Sequence, residues 1–285
     1  MEKKPKPPPP PPKPKALSSQ VLAEPASTRN TKRGLGWPWN EPASHFALYQ
    51  PYITSGKVTW LFNWEVWVPD SIPQQLEWIP CVRTPANVKD VDPFLSDIIY
   101  NRGFKTSVLL GFNEPEIPEQ ANMTPEQAVE LWKQVVLPAK AKFGFQLGSP
   151  GMSSDVGRSK PWLNSFLSQL AGQDDIDFLV VHWYGLFFND MRVFLEDMHA
   201  SYGLPIWVNE FACVRMGEGD ATIPEVTAFI RDALPWLDAC PWIQRYAYFG
   251  NHDVGSWVGR ASNFTESSGG QNDQLTSVGR LYCEL

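Results

Sequence analysis

The chain has 285 residues, 43% hydrophobic and 19% charged, a composition that suits one large packed domain. Its formal net charge of −7 is uneven: residues 1–15 hold five Lys against one Glu, so the remainder carries −11, which argues against a nucleic-acid partner. No apolar run approaches the roughly 20 residues of a membrane span, and an acidic body without a span suits a neutral ligand.

Residues 1–16 (MEKKPKPPPPPPKPKA) are low-complexity Pro/Lys and are expected to be extended polyproline. They belong to a disordered tail over residues 1–30 that reads first as a spacer. A basic contact to an acidic wall or membrane surface, or a ligand for a proline-recognition module, is the alternative. No apolar signal-peptide core follows Met1. Order is expected from near Thr31, giving one domain over residues 31–285.

From there short apolar runs end in polar or aromatic residues: Arg33–Asn40, Val58–Trp67, Glu77–Arg83, Ser107–Glu116, Gln146–Gly151, Phe178–Gly185, Pro205–Ala212 and Ile243–Gly250. Helical patterns lie between them. The clearest is Pro125–Phe143, with Thr124 as N-cap and Pro125 at the first helical position. Others are expected over Pro93–Phe104, Pro161–Ala171, Met191–Tyr202 and Ile223–Ala239, while the first two interstrand segments are short and poorly periodic. This α/β alternation predicts a (β/α)8 TIM barrel. An open doubly wound sheet competes, but Gly34-Leu35-Gly36 is only a lone GxG within a strand.

In a barrel the C-terminal strand ends converge on one face. The fourth run, SVLLGFNEPE, delivers Glu114 there, and the seventh, PIWVNEFAC, delivers Glu210. A lone Glu at a strand end is more often a salt-bridge or cap residue. Two, each preceded by Asn and each closing a buried run, match the paired carboxylates that hydrolyse an acetal, one protonating the leaving oxygen and the other attacking or activating water. Asn113 would bond a sugar 2-hydroxyl, and Glu116 is an internal rival to Glu114 placed further past the strand.

Other candidates follow from strand ends. Tyr184 is placed to bond Glu210, or else to pack in the rim. His182 shares its strand face and lines the centre unless it is a satisfied core histidine. Trp183 points to the opposite face unless the strand ends before it. Asn40, Asn63 and Trp64 are candidate sugar contacts. Trp37, Trp39 and Phe249 are candidate stacking platforms, with Trp257 reaching in from the loop after the eighth strand. Singly, each aromatic is more often core. The thirteen Trp lean as a group toward a ligand with flat C–H faces, such as a sugar. Cys81, Cys213, Cys240 and Cys283 show no CxxC spacing and fit free thiols or one or two disulfides. The four His are scattered without HExxH, so no metal or cofactor is expected.

In order, the motifs GWPWN (36–40), FNW (62–64), GFNEPE (111–116), GSPGM (148–152), HWYG (182–185), WVNEFA (207–212) and RYAYFG (245–250) resemble glycoside hydrolase family 128, over roughly Arg33 to Leu285. The resemblance implies a clan A barrel and retaining β-1,3-glucan hydrolysis, with Glu114 as acid/base and Glu210 as nucleophile. It implies a polysaccharide partner and an extracellular or cell-wall setting, and a monomer is expected. Asn209 stands where the family often has Thr, which bears on substrate preference. A non-catalytic glucan-binding protein and a hydrolase of another β-linked glycan are the competing readings. Sequons at Asn122-Met-Thr and Asn263-Phe-Thr would take glycans only on a secretory route.

Overall fold

Eight parallel strands form one sheet: β1 (Arg33–Gly36), β2 (Trp60–Phe62), β3 (Glu77–Ile79), β4 (Val108–Leu109), β5 (Gln146–Met152), β6 (Phe178–Gly185), β7 (Ile206–Cys213) and β8 (Ile243–Tyr248). Their spatial order is β3-β2-β1-β8-β7-β6-β5-β4. Its two ends meet: the Leu110 N–H bonds the Pro80 carbonyl at 2.9 Å and the Val82 N–H bonds the Leu110 carbonyl at 3.0 Å. The barrel expected from the alternation is therefore present. The computed structural model describes residues 32–285 except 70, 105, 171–174, 218, 252–253 and 267–272. The Pro/Lys tail and the expected start near Thr31 lie outside the described residues.

Aromatic rings fill the bore. Trp60, Phe62, Ile79, Leu110, Phe178 and Trp207 form a buried inner cluster, with Phe178 stacked on Trp207 at 4.4 Å and Trp60 5.6 Å from Trp207. Rings this large need bare backbone opposite them. A Cβ on Gly34 would lie 2.2 Å from the Trp60 ring, so the lone GxG of β1 makes room for indole and does not cradle phosphate.

Helices cover the outside: α1 (Phe46–Ser55), α2 (Val88–Ser96), α3 (Pro125–Leu131), α4 (Leu137–Phe143), α5 (Val156–Gln169), α6 (Phe188–Tyr202) and α7 (Ile223–Ala239). Then come α8 (Gly255–Val258), the antiparallel pair β9 (Thr265–Glu266) and β10 (Gln274–Leu275), and α9 (Ser277–Glu284). The second interstrand segment, between β2 and β3, holds no helix among its described residues.

Two helices begin earlier than their prolines suggest. Pro93 lies inside α2 and Pro161 inside α5, where Asp155 caps the N-terminus by accepting from the Gly157 N–H. Each missing N–H is absorbed within the helix rather than at its start. The predicted Pro125–Phe143 helix is continuous but contains a π-turn at Trp132–Val136, just before Pro138. Widening the turn there accommodates a proline that cannot donate to the preceding turn.

All four cysteines are buried with free thiols. No helix of the described residues is long and apolar enough to cross a membrane.

Candidate active site

Glu210 faces the bore because β7 carries one residue too many. Val180 pairs with Trp207 and His182 with Glu210, so two steps on β6 span three on β7. On the other side Val208 pairs with Tyr246 and Phe211 with Tyr248, the same surplus. Without this bulge, an inward Trp207 would leave Glu210 pointing out among the helices.

Glu114 is aimed by a different device. It sits just past β4 at φ +42°, the left-handed region that a non-glycine residue occupies at a cost of about 1–3 kcal/mol. The Asn113 N–H is held by the Arg83 carbonyl at 2.9 Å, and the Glu114 N–H by the Gly151 carbonyl at 2.8 Å. Trp64, past β2, is also left-handed, at φ +58°. Two strand ends thus turn sharply toward one point.

There the side chains meet. Glu210 accepts from the Trp64 indole N–H at 2.6 Å and from the Tyr184 hydroxyl at 2.7 Å. His182 lies between the carboxylates: its Nδ1 is 2.7 Å from Glu114 Oε1, and its Nε2 is 3.4 Å from Glu210 Oε1. The second contact is an ion-pair distance without hydrogen-bond alignment. Gly151 gives the imidazole space, since a Cβ there would fall 2.8 Å from Nε2. Burial by itself would lower the His182 pKa, but Glu210 and Glu114 outweigh it and raise the ring to about 9. Burial and the same Glu210 charge push the Tyr184 hydroxyl well up, so it stays a donor.

The carboxylates open into a cleft of about 790 Å³. Glu114, Glu210, Asn113, Tyr184, Asn63 and Trp64 line it, as do Trp39, Phe249 and Trp257. His182 is fully buried beneath the carboxylates and serves them from behind. Asn63 touches the cleft, but its amide is used internally: it donates to the Trp67 carbonyl at 2.8 Å and accepts from the Trp78 indole at 3.3 Å.

Three candidates fall elsewhere. Trp37 is core, 2% exposed and stacked on Phe46 at 3.9 Å, because its side chain turns into the α1 interface. Trp183 follows strand alternation to the outer face and packs 5.5 Å from Phe194 of α6. Asn40 lies in an exposed turn beyond β1 and does not line the cleft. Glu116 does not line it either. Its Oε1 accepts the Ser153 N–H at 2.8 Å and pins the loop after β5, and burial raises its pKa.

Sequence reading missed Glu65 and Arg83, which line the cleft just past β2 and β3. They fell inside runs read as continuous strand, and the strands end sooner. Glu65 accepts from Asn87 at 3.0 Å and lies 3.7 Å from Arg83; burial raises its pKa against the opposing pull of that arginine. Met216, exposed past β7, also lines the cleft and carries no sequence signal. Among the described residues no group of three or more His, Cys, Asp or Glu could hold a metal ion.

A barrel with two convergent carboxylates in an aromatic cleft defines a class, the glycosidases of clan type. The chain belongs to the glycosyl hydrolase catalytic core family, whose model matches residues 34–282, and within it to glycoside hydrolase family 128. It is 29% identical to a curdlan-specific exo-β-1,3-glucanase from Blastomyces gilchristii, solved with glucose, over 90% of this chain and 99% of that one, with a TM-score of 0.70. An exo-β-1,3-glucanase from Aureobasidium namibiae shares the fold at a TM-score of 0.74 and 24% identity, over 90% and 97% of the two chains. Alkali-sensitive linkage protein 1 of Schizosaccharomyces pombe is 30% identical over 261 residues, 90% of this chain. The chain spans 45% of that relative's length. Other structures of the same fold are an endo-β-1,3-glucanase and an oligosaccharide-binding protein.

Proposed function

We propose that the chain is a β-1,3-glucanase that cleaves within the polymer and retains anomeric configuration, as the catalytic domain over residues 31–285 of an extracellular or wall-associated protein acting as a monomer. The observation that carries the reading is the three-point hold on Glu210. The Trp64 indole and the Tyr184 hydroxyl each donate to one of its oxygens and His182 Nε2 stands 3.4 Å away, so the carboxylate is fixed facing the bore, where a nucleophile must stand.

The acid is armed through His182. A protonated imidazole beside two carboxylates has the same net charge as a neutral imidazole beside a protonated Glu114. One proton moving along the 2.7 Å contact therefore converts the resting site into the catalytic one. Glu114 delivers that proton to the leaving oxygen while Glu210 attacks the anomeric carbon and forms the glycosyl-enzyme ester. The leaving glucan departs with its oxygen protonated. Glu114, now ionised, takes a proton from water as that water attacks the ester, which frees Glu210. Asn113, Phe249 and Trp257 hold the ring, and Trp39 extends the contact along the chain.

Incubation with soluble β-1,3-glucan, β-1,4-glucan and mannan tests the reading by release of reducing ends. Release from β-1,3-glucan alone, with early loss of viscosity, is expected. Release only from another polymer overturns the substrate. No release, with tight oligosaccharide binding, favours the binding protein that the similar fold from Cryptococcus neoformans exemplifies.

A further inference from the structure

Beyond β4 the backbone ladder with β5 resumes at Asn113, which bridges Gly151. The Gly151 N–H donates to the Phe112 carbonyl at 2.7 Å, and the Glu114 N–H donates to the Gly151 carbonyl at 2.8 Å. The even spacing of a parallel ladder puts the next rung two residues on, from the Ser153 N–H to the Glu114 carbonyl. That rung is given up. Glu114 is left-handed at φ +42°, and its carbonyl instead accepts the Ile117 N–H at 3.0 Å, closing a turn with Pro115 at its second position.

Ser153 nevertheless keeps an acceptor. Its N–H donates to Glu116 Oε1 at 2.8 Å, so a side-chain carboxylate stands in for the carbonyl that turned away. A donor left without an acceptor at this half-buried strand end would loosen both the end of β5 and the turn beside it. Glu116 is fitted to this task rather than to the ligand. It does not line the cleft, and its Oε2 is buried without a hydrogen-bond partner. The segment it holds, Ser153 to Asp155, does line the cleft, and Asp155 then caps α5.

We propose that Glu116 is the positioning residue of the acid: its carboxylate replaces the ladder rung that Glu114 gives up, and so holds Glu114 in the left-handed turn that aims it at the glycosidic oxygen. The role of Glu114 as acid belongs to the glucanase reading, on which this proposal rests. The surrogate rung is a matter of backbone geometry and is testable apart from it.

Two substitutions separate the rung from the charge. Glu116→Ala removes both, whereas Glu116→Gln keeps an oxygen that accepts from Ser153. Kinetics are compared on a β-1,3-linked glucose heptamer, whose leaving oxygen needs a proton, and on the 2,4-dinitrophenyl β-glycoside of the β-1,3-linked dimer, whose phenolate leaves without one. In Glu116→Ala the heptamer kcat/KM should fall about 10- to 100-fold, with the dinitrophenyl value within about threefold of the parent. Glu116→Gln should recover most of the heptamer loss. Equal falls on the two substrates, equal falls in the two variants, or no fall at all overturn the proposal. Hydrogen exchange at the Ser153 amide decides the rung apart from hydrolysis. Protection should drop about tenfold or more in Glu116→Ala and stay near that of the parent in Glu116→Gln; unchanged protection in Glu116→Ala overturns the proposal. Failure of the parent to cleave either substrate, with that exchange pattern present, counts against the glucanase reading instead.

Discussion

A histidine between two carboxylates lets one proton serve either side. Because His182 is raised to about 9 from its ordinary 6.5, its ion pairs contribute stability fully below about pH 6.5, and that stability is lost as pH rises through about 9. Melting temperature of the parent should therefore decline across that window, and His182→Asn should flatten the decline; an unchanged slope in the variant would contradict the pairing. Tyr184→Phe deletes one 2.7 Å donor to Glu210 and leaves the ring in place. A charge-assisted bond of this kind contributes about 1.5–3 kcal/mol to the folded state, so the melting temperature should fall by several degrees, and loss of the donor that holds Glu210 should lower kcat/KM by about tenfold or more. At this scale the sequence was most informative where a residue type has few alternatives. Glu114, Glu210 and Tyr184 were legible because acids and a phenol at strand ends need partners. Trp37 and Trp39 were not separable, since two Trp one residue apart differ here only in which way the chain turns.

Element-scale devices aim these side chains. The β7 bulge places Glu210 inward, yet it leaves no mark in the apolar run Ile206–Val208, so strand counting reached the right strand end without the reason. Prolines misled in one way. Pro125 starts α3 as read, with Thr124 completing a capping box with Gln127, whereas Pro93 and Pro161 sit inside helices that begin about five residues before them. Thr124→Ala should cost about 1 kcal/mol in urea unfolding, with hydrolysis unaffected. Gly151→Ala tests the cradle beneath the two carboxylates. Its Cβ would meet the His182 ring at 2.8 Å, so activity should drop at least tenfold while far-ultraviolet circular dichroism is retained. Full activity would show that the ring has room to spare.

For the whole molecule, barrel closure explains how a chain that separates Glu114 and Glu210 by 96 residues brings them to one imidazole. The two sequons also separate at this scale. Asn122 is exposed just past a turn, whereas Asn263 is half-buried and its Oδ1 accepts from the Val254 N–H. Secretion from a eukaryotic host should thus give one glycan, removed by Asn122→Gln and not by Asn263→Gln, as read by peptide mass after deglycosylation. The most direct test of the account is the anomeric configuration of the product that Glu210→Ala forms from an activated β-glucoside in the presence of azide. The variant should be inactive alone, regain turnover with azide and yield the α-glycosyl azide in its proton magnetic resonance spectrum. A β-glycosyl azide, or an unimpaired variant, would contradict the assignment of Glu210 as the nucleophile.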